Sequence, residues 1–355
     1  MSFEIKIYNS FEDSLETIWN NFEKEAESYC FQNSYWLKNW YQSLNNKNDI
    51  DLHIFLVYQN QKLLFIFPLC IEKKYGLKIL KWQGGNQSDY MGGLIKGESS
   101  LEKKEFLLLW KKIKDKLPDF DITYFKNQPE KIGNAINPFV NHLNSFKTSN
   151  SRSINLKDSF ETFINNNLKK KFLSDTKRSL NTLNKKGRID FKIYENVNNS
   201  QRKKIIEEIL YQKELRLKEL NQKNEIDKFS ENFYINFDER KFLNGNLHIS
   251  SLKFNDTIIA MHWGAIYKNT YYYLMPSIAK TEYLKYSPGR LLLYKLVEWC
   301  YQKNIKKFDL SLGEESYKKN WSNLKNGLYD LYETNSLKSY PLVYLLKIRS
   351  YLKSL

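Results

Sequence analysis

The sequence predicts a mixed α/β (α+β) chain made of two halves, residues 1–150 and 151–355. Three observations lead there. Period-two apolar alternation and helical 3.6-residue patterns interleave along the whole chain. With 355 residues, 41% hydrophobic and 15% aromatic, there is material for two cores better than for one. Each half also runs strand pair, loop, helix, strand in the same rough order, which hints at a duplicated fold.

In the first half FEIKIY (3–8) alternates like a strand. Residues 11–27 follow as a helix with Phe11, Leu15, Ile18, Trp19 and Phe22 on one side. A second helix at 34–44 has Ser34 as its cap. Residues 51–74 form a strand pair around the polar tip Gln59-Asn60-Gln61. Trp82 leads into GGNQSDYMGGLI (84–95), a loop whose glycines let backbone approach a ligand. A helix at 99–116, a strand near 120–125 and a Pro/Asn-rich stretch at 127–144 complete the half.

The second half opens near Ser151. Residues 168–192 carry nine basic and two acidic side chains; Phe172, Thr176, Leu180 and Leu183 mark one helical face and Gly187 the stop. Helices are predicted at 199–220 and 227–243, then three successive strands at 247–254, 256–267 and 270–276. Helix 288–303, strand 307–312, a short helix at 314–322, strand 327–333 and a terminal helix at 338–353 follow.

Composition excludes several classes. The longest apolar runs, such as LLFIFPLCI (63–71), are too short to span a bilayer, so no transmembrane segment is expected. The N-terminus shows no signal-peptide pattern, and Cys30, Cys70 and Cys300 are odd in number and scattered; both point to a cytoplasmic protein with reduced thiols. Four histidines and no paired cysteines leave almost no material for a structural zinc site, and no metal is expected. The net charge of +16 suits a polyanionic partner. It equally suits an AT-rich coding sequence, because only eight residues are Arg and Asn, Ile, Tyr and Phe are abundant.

The chemistry concentrates in 271–321. Tyr286-Ser287-Pro288-Gly289-Arg290-Leu291 reads as a loop entering a helix. Pro288 suits the first turn and Gly289 permits close approach to the backbone. First-turn amides and the helix dipole favour a phosphate, and Arg290 adds a charged fork; the alternative is an ordinary capped helix. In FDLSLG (308–313) alternation puts Asp309 opposite Phe308 and Leu310, as a carboxylate that orients or deprotonates a nucleophile, or else caps a loop or pairs with a lysine. Tyr317, Lys318 and Trp321 sit one turn apart; Lys318 either balances a phosphate or pairs with Asp309, and Trp321 reads as packing. His262, in an apolar strand, is either a satisfied core residue or a general base. Ser–His–Asp, Walker, G-x-G-x-x-G and paired-carboxylate patterns are absent from the sequence.

The chain resembles the BioF2-like, CelD/BcsL-type acetyltransferases, a branch of the GNAT superfamily close to the FemAB-type aminoacyl transferases. The likeness rests on FQNSYWLKNWYQSL (31–44), LLFIFPL (63–69) and WQGGNQSDYMGGLI (82–95), and then on RSLNTLNKKGRIDF (178–191), IIAMHWG (258–264), YSPGRLLL (286–293) and FDLSLGEESYKKNW (308–321). It implies two tandem GNAT-like halves, each a mixed, mainly antiparallel sheet flanked by helices. It further implies acyl transfer from acetyl-CoA or another acyl-CoA, with no metal. The superfamily holds the donor pyrophosphate at the position of Tyr286 to Leu291, where SPG replaces the usual glycine-rich loop. A strand N–H near Leu274–Met275 would stabilise the oxyanion. Asp309 or His262 would help take the acceptor's proton. The acceptor, a small molecule or polysaccharide precursor, would lie between the halves, near Trp82, Asp89 and Tyr90. FemAB relatives take amino acids from tRNA instead, so a tRNA donor gripped by 168–192 is the second expectation. A non-catalytic binding module on a degenerate fold is the third.

Overall fold

The computed structural model describes residues 3–97, 99, 101–195, 197–221 and 227–354, with side chains through Ile348. Its principal strands are β1 (Phe3–Tyr8), β2 (Ile50–Gln59), β3 (Lys62–Lys74), β4 (Leu77–Trp82), β5 (Ile122–Pro129), β6 (Ser145–Asn155), β7 (Ile189–Ile193), β8 (Gly245–Phe254), β9 (Thr257–Tyr267), β10 (Thr270–Ile278), β11 (Lys307–Leu312) and β12 (Leu324–Thr334). The contacts divide the chain into two units. Unit 1 holds 1–150, 241–244 and 326–355; unit 2 holds 151–240 and 245–325.

Unit 1 pairs its strands in the order β1-β2-β3-β4-β5-β12, antiparallel except for β4 beside β5. Unit 2 pairs β7-β8-β9-β10-β11-β6, antiparallel except for β10 beside β11. The same six-strand plan therefore occurs twice, with the parallel pair in the same place and a helix linking its two strands: Lys103–Lys114 in unit 1, Pro288–Gln302 in unit 2. These are mixed, mainly antiparallel sheets flanked by helices, as the sequence predicts. The sixth strand is exchanged. β12 follows β11 in the chain yet completes the first sheet, and β6 follows β5 yet completes the second through Ser151–Asn155. Sequence order alone assigns the last strand and the Tyr340–Ser354 helix to the second half; both lie in unit 1.

Local chemistry explains most elements. The turn residues Asn60 and Gln61 both have positive φ, as do Tyr75-Gly76 and Lys268-Asn269. Such turns match the right-handed strand twist and set two-residue hairpins. The Ser34–Ser43 helix is capped by Asn33, not Ser34: Asn33 Oδ1 accepts from the Tyr35 and Trp36 amides. Its amide nitrogen donates to Glu23 Oε1 and to the Leu243 carbonyl at 2.8 Å each. Serine offers one hydroxyl and could not serve all four partners. Ser34 instead donates to Asn20 Oδ1.

Three other boundaries differ from the sequence reading. A helix at Phe160–Asn167 precedes the basic helix Lys170–Lys186; β7 adds an edge strand; and 227–243 is α-helical only over Lys228–Ile235. In unit 2 the Pro288–Gln302 helix lies on one sheet face, with Leu291, Leu292, Leu296 and Val297 in a core shared with Ala260, Tyr271 and Phe308. The Asn199–Glu219 helix uses the other face, where Gln212 Nε2 meets Met261 Sδ at 3.7 Å.

Candidate active site

The parallel pair β10–β11 is short. Its register runs from Thr270–Lys307 to Tyr272–Asp309 and then stops. One residue on, β10 slips against β9 between the Gly264–Tyr273 and Trp263–Met275 pairs, so Leu274 is an inserted bulge residue. A bulge bends and twists its strand. Beyond this point a cleft of about 570 Å³ opens in unit 2. Tyr273, Pro276, Ser277 and Ile278 of β10 form one wall; Ser287, Pro288, Gly289 and Arg290 form the next. Phe172, Tyr317 and Trp321 close a third side, and Lys213, Arg216, Leu217 and Leu220 a fourth.

The helix start is built differently from the predicted nest of amides. Ser287 takes a left-handed conformation, φ 56°, and its N–H bonds to the Leu284 carbonyl. Its carbonyl accepts from the Arg290 and Leu291 amides at 2.9 and 3.2 Å. Pro288 has no N–H, which leaves the Gly289 N–H as the amide of this turn with no acceptor among the described residues. Gly289 lines the cleft and also packs closely on Ile278. A Cβ there would lie 2.8 Å from Ile278 Cδ1. Leu291 is fully buried, and Tyr286 accepts a hydrogen bond from Lys186 Nζ (3.1 Å) outside the cleft.

Cations supply what the amides do not. The Arg290 guanidinium lies over the Phe172 ring, 5.3 Å from its centroid. Its Nε is buried with no hydrogen-bond partner among the described residues. Burial lowers its pKa, with Arg178 acting the same way and Asp175 against it. Lys213 and Arg216 share one helical face three residues apart, and Arg216 is held by Glu219 at 3.1 Å. Among the described residues, Asp, Glu and His are absent from the lining. The sequence reading missed Lys213 and Arg216. Their signal was the face Lys213-Arg216-Leu217-Leu220, in which cations border an apolar stripe.

Other expected site residues lie elsewhere. His262 is sealed at 0% exposure. Strand alternation turns it toward the Pro288–Gln302 helix, where its ring stacks on Tyr273 at 4.4 Å and its Nδ1 meets Tyr271 Oη at 3.0 Å. An acceptor has no route to it, so it is a core residue and not the base. Asp309 is buried too. Its Oδ1 accepts from the Ser311 N–H at 2.8 Å, and its Oδ2 is 3.3 Å from Lys307 Nζ. The carboxylate holds Ser311 at φ 65° and is not part of the cleft lining. Lys318 donates to the Leu312 carbonyl and pairs with Glu315, so it balances neither Asp309 nor a phosphate. Met275 is buried, and the side chains of Leu274 and Met275 do not line the cleft. In unit 1, Trp82 is buried with its Nε1 donating to Gln128 Oε1, and Tyr90 packs edge-on to Phe31. Neither ring has a face for a substrate. Asp89 is half-buried near Lys126, whose basicity burial lowers. Tyr317 alone of the expected catalytic side chains lines the cleft, and burial pushes its phenol well above the usual range.

Unit 1 has the equivalent strands but fills the gap between them. β4 and β5 pair only at Ile79–Ile122 and Leu80–Thr123. Phe139, on the Pro138–His142 helix, enters the aromatic cluster beyond. Its ring lies 5.0–5.5 Å from those of Trp82, Phe106, Trp110 and Phe125, all near-perpendicular. The helix start there carries Glu102 and Glu105 in a capping box. Carboxylates at that end occupy the place an anion would take.

The histidine found in the core has a measurable consequence. Tyr271 Oη lies 2.9 Å from His248 Nδ1 and 3.0 Å from His262 Nδ1. One hydroxyl hydrogen serves only one of them, so the other imidazole must carry its proton on Nδ1. Burial pulls His248 down to about 3 and His262 well below its ordinary 6.5. The unfolded chain takes up protons here below pH 6.5 and the fold does not. Stability should therefore fall as pH drops from about 6.5 toward 3, by up to about 1.4 kcal/mol per pH unit for each ring. Urea midpoints at pH 7.5 and 5 measure it; the His248→Gln variant should flatten the dependence, and equal wild-type midpoints would contradict a neutral pair.

Residues 170–319 match the family model described as an acetyltransferase (GNAT) domain. No curated protein sequence matches the chain. Among solved structures, FemX superposes with a TM-score of 0.66 at 10% identity, covering 95% of this chain and 99% of that one. L-PGS from Bacillus licheniformis gives 0.57 at 11%, covering 98% of both. A tandem GNAT protein from the clavulanic acid biosynthesis pathway gives 0.50 at 7%, covering 94% and 99%. At these identities the superpositions establish a shared fold. The bulged strand, the helix start and every residue of the cleft lining except Trp321 fall within the segment that matches the acetyltransferase (GNAT) domain model.

Proposed function

We propose that the unit 2 cleft binds an acyl-CoA and that the protein transfers its acyl group to an amine or hydroxyl of a sugar, a peptide or an envelope-polysaccharide precursor. One observation carries this reading. Arg290 is half-buried at the mouth of the helix with an unpartnered Nε, beside Lys213 and Arg216, in a cleft lined by no carboxylate. A buried guanidinium N–H without an acceptor costs free energy that a phosphate oxygen removes. The Gly289 N–H and the helix dipole add to the same pole.

The parted strands β10 and β11 would admit the pantetheine arm. The bulge at Leu274 supports a strand N–H at Leu274 or Met275 as the oxyanion donor. The acceptor's lone pair attacks the thioester carbonyl, the new C–N or C–O bond forms and the C–S bond breaks. Tyr317, kept protonated by burial, gives its proton to the departing thiolate. The acceptor proton leaves to solvent, since the described lining offers no base, and Tyr317 recovers a proton from solvent. Within the superfamily, YSPGRLLL and FDLSLGEESYKKNW favour the BioF2-like, CelD/BcsL-type branch.

A second reading has its own observation. Lys170, Lys177, Arg178 and Lys185 border a groove of about 580 Å³ along the Lys170–Lys186 helix. That row fits a nucleic-acid backbone, as an aminoacyl-tRNA donor requires. Calorimetric titration with acetyl-CoA separates the two. Saturable binding is expected, and Arg290→Glu should weaken it about tenfold or more. No heat with the wild type, together with salt-sensitive retention of bulk tRNA on filters, would replace the first reading by the second.

A further inference from the structure

The Tyr340–Ser354 helix packs Val343, flanked by Leu342 and Leu346, onto Ile79, Ile122 and Tyr332 of the unit 1 sheet. A surface helix ordinarily turns polar residues outward on its other side. This one does not. Leu337 is 86% exposed, Tyr344 68%, Leu345 63%, Tyr340 58% and Ile348 40%. Steps of three and four residues place them in one stripe, about 12 Å long from Tyr340 to Ile348. Single exposed apolar side chains are ordinary; a contiguous run marks a binding face.

Charge says what covers it. From Asn335 to Leu355 the sequence has four basic residues (Lys338, Lys347, Arg349 and Lys353) and no acidic one. Lys338 and Lys347 are exposed along the stripe. A helix that offers leucine, isoleucine and tyrosine within a basic border matches an anionic bilayer surface. Acyl chains take the aliphatic groups, tyrosine rings sit at headgroup level, and lipid phosphates meet the lysines. No helix of the described residues is long and apolar enough to cross a membrane.

We propose that the exposed stripe Leu337–Ile348 seats unit 1 on the surface of an anionic lipid bilayer. This rests on the terminal helix alone and is independent of the donor cleft. The full chain should sediment with vesicles of phosphatidylcholine containing about one-third phosphatidylglycerol, and far less with pure phosphatidylcholine. Each lysine reversed, Lys338→Glu or Lys347→Glu, should weaken binding about fivefold. The pair Tyr344→Glu/Leu345→Glu should remove it while leaving the circular dichroism unchanged. Leu108→Glu, at an exposed leucine of another unit 1 helix, should leave binding intact. Equal sedimentation with neutral vesicles, or none with either, overturns the proposal. So does light scattering that shows a wild-type dimer which the paired variant dissociates, because the stripe would then belong to a second copy of the chain.

Discussion

Phe139→Ala is expected to lower the stability of unit 1 by about 3–5 kcal/mol. Phe139 is 1% exposed. Its ring meets Phe67 at 5.1 Å as well as the four rings named above, nearly perpendicular to each. Truncation removes the transfer free energy of a benzyl group. It also leaves a cavity whose rigid aromatic walls cannot collapse, which puts the cost at the upper end of the range for phenylalanine. Perpendicular ring contacts add about 0.5–1.5 kcal/mol per pair beyond burial. Phe139→Leu, which keeps most of the volume, should cost clearly less. Urea denaturation followed by tryptophan fluorescence reads both, since Trp82 and Trp110 line the site. A loss under 1 kcal/mol for the alanine variant would mean the gap between β4 and β5 does not depend on this ring.

Tyr317→Phe should reduce kcat about a hundredfold with acyl-CoA as donor, with little change in KM. The effect follows from its place in the cleft and from burial, which keeps the phenol protonated at neutral pH. Proton transfer by a positioned side chain contributes roughly 10²–10⁴ in rate. The phenyl ring preserves the packing against the cleft wall, so binding should survive. An activated donor whose leaving thiol has a low pKa should restore much of the rate, because a stable thiolate needs no proton. Full activity in Tyr317→Phe, or a loss that the activated donor fails to relieve, would take the acid role from Tyr317.

The fold was legible where local chemistry decided it. Hairpin tips at Asn60-Gln61 and Lys268-Asn269 declare themselves by residue type, and FDLSL alternates cleanly enough to fix β11 to the residue. The helix start at Pro288 was legible for the same reason. What the sequence hid depends on contacts between distant segments. Asp309 and His262 are chemically able groups, but only tertiary packing shows one holding the Ser311 backbone and the other shut behind Tyr273. Lys213 and Arg216 reach the cleft because a helix some seventy residues before Pro288 crosses it, a fact without a local signature. Trp82 and Tyr90 were chosen as aromatic residues near a glycine-rich loop, a pattern that serves a buried ring as readily as a sugar platform.

The exchange of the sixth strands has a consequence for anyone who would take the protein apart. A gene cut after codon 150 yields a first polypeptide without β12, the border strand of its own sheet, and a second that carries β12 without its partner β5 while Ser151–Asn155 stays beside β11. Expressed singly, the first piece would expose an unfilled edge at β5, and the second an unpaired β12, and both would invite aggregation. The first half is thus a folding unit only in the company of a strand made near the far end of the chain, and it cannot be transplanted as one continuous stretch of sequence.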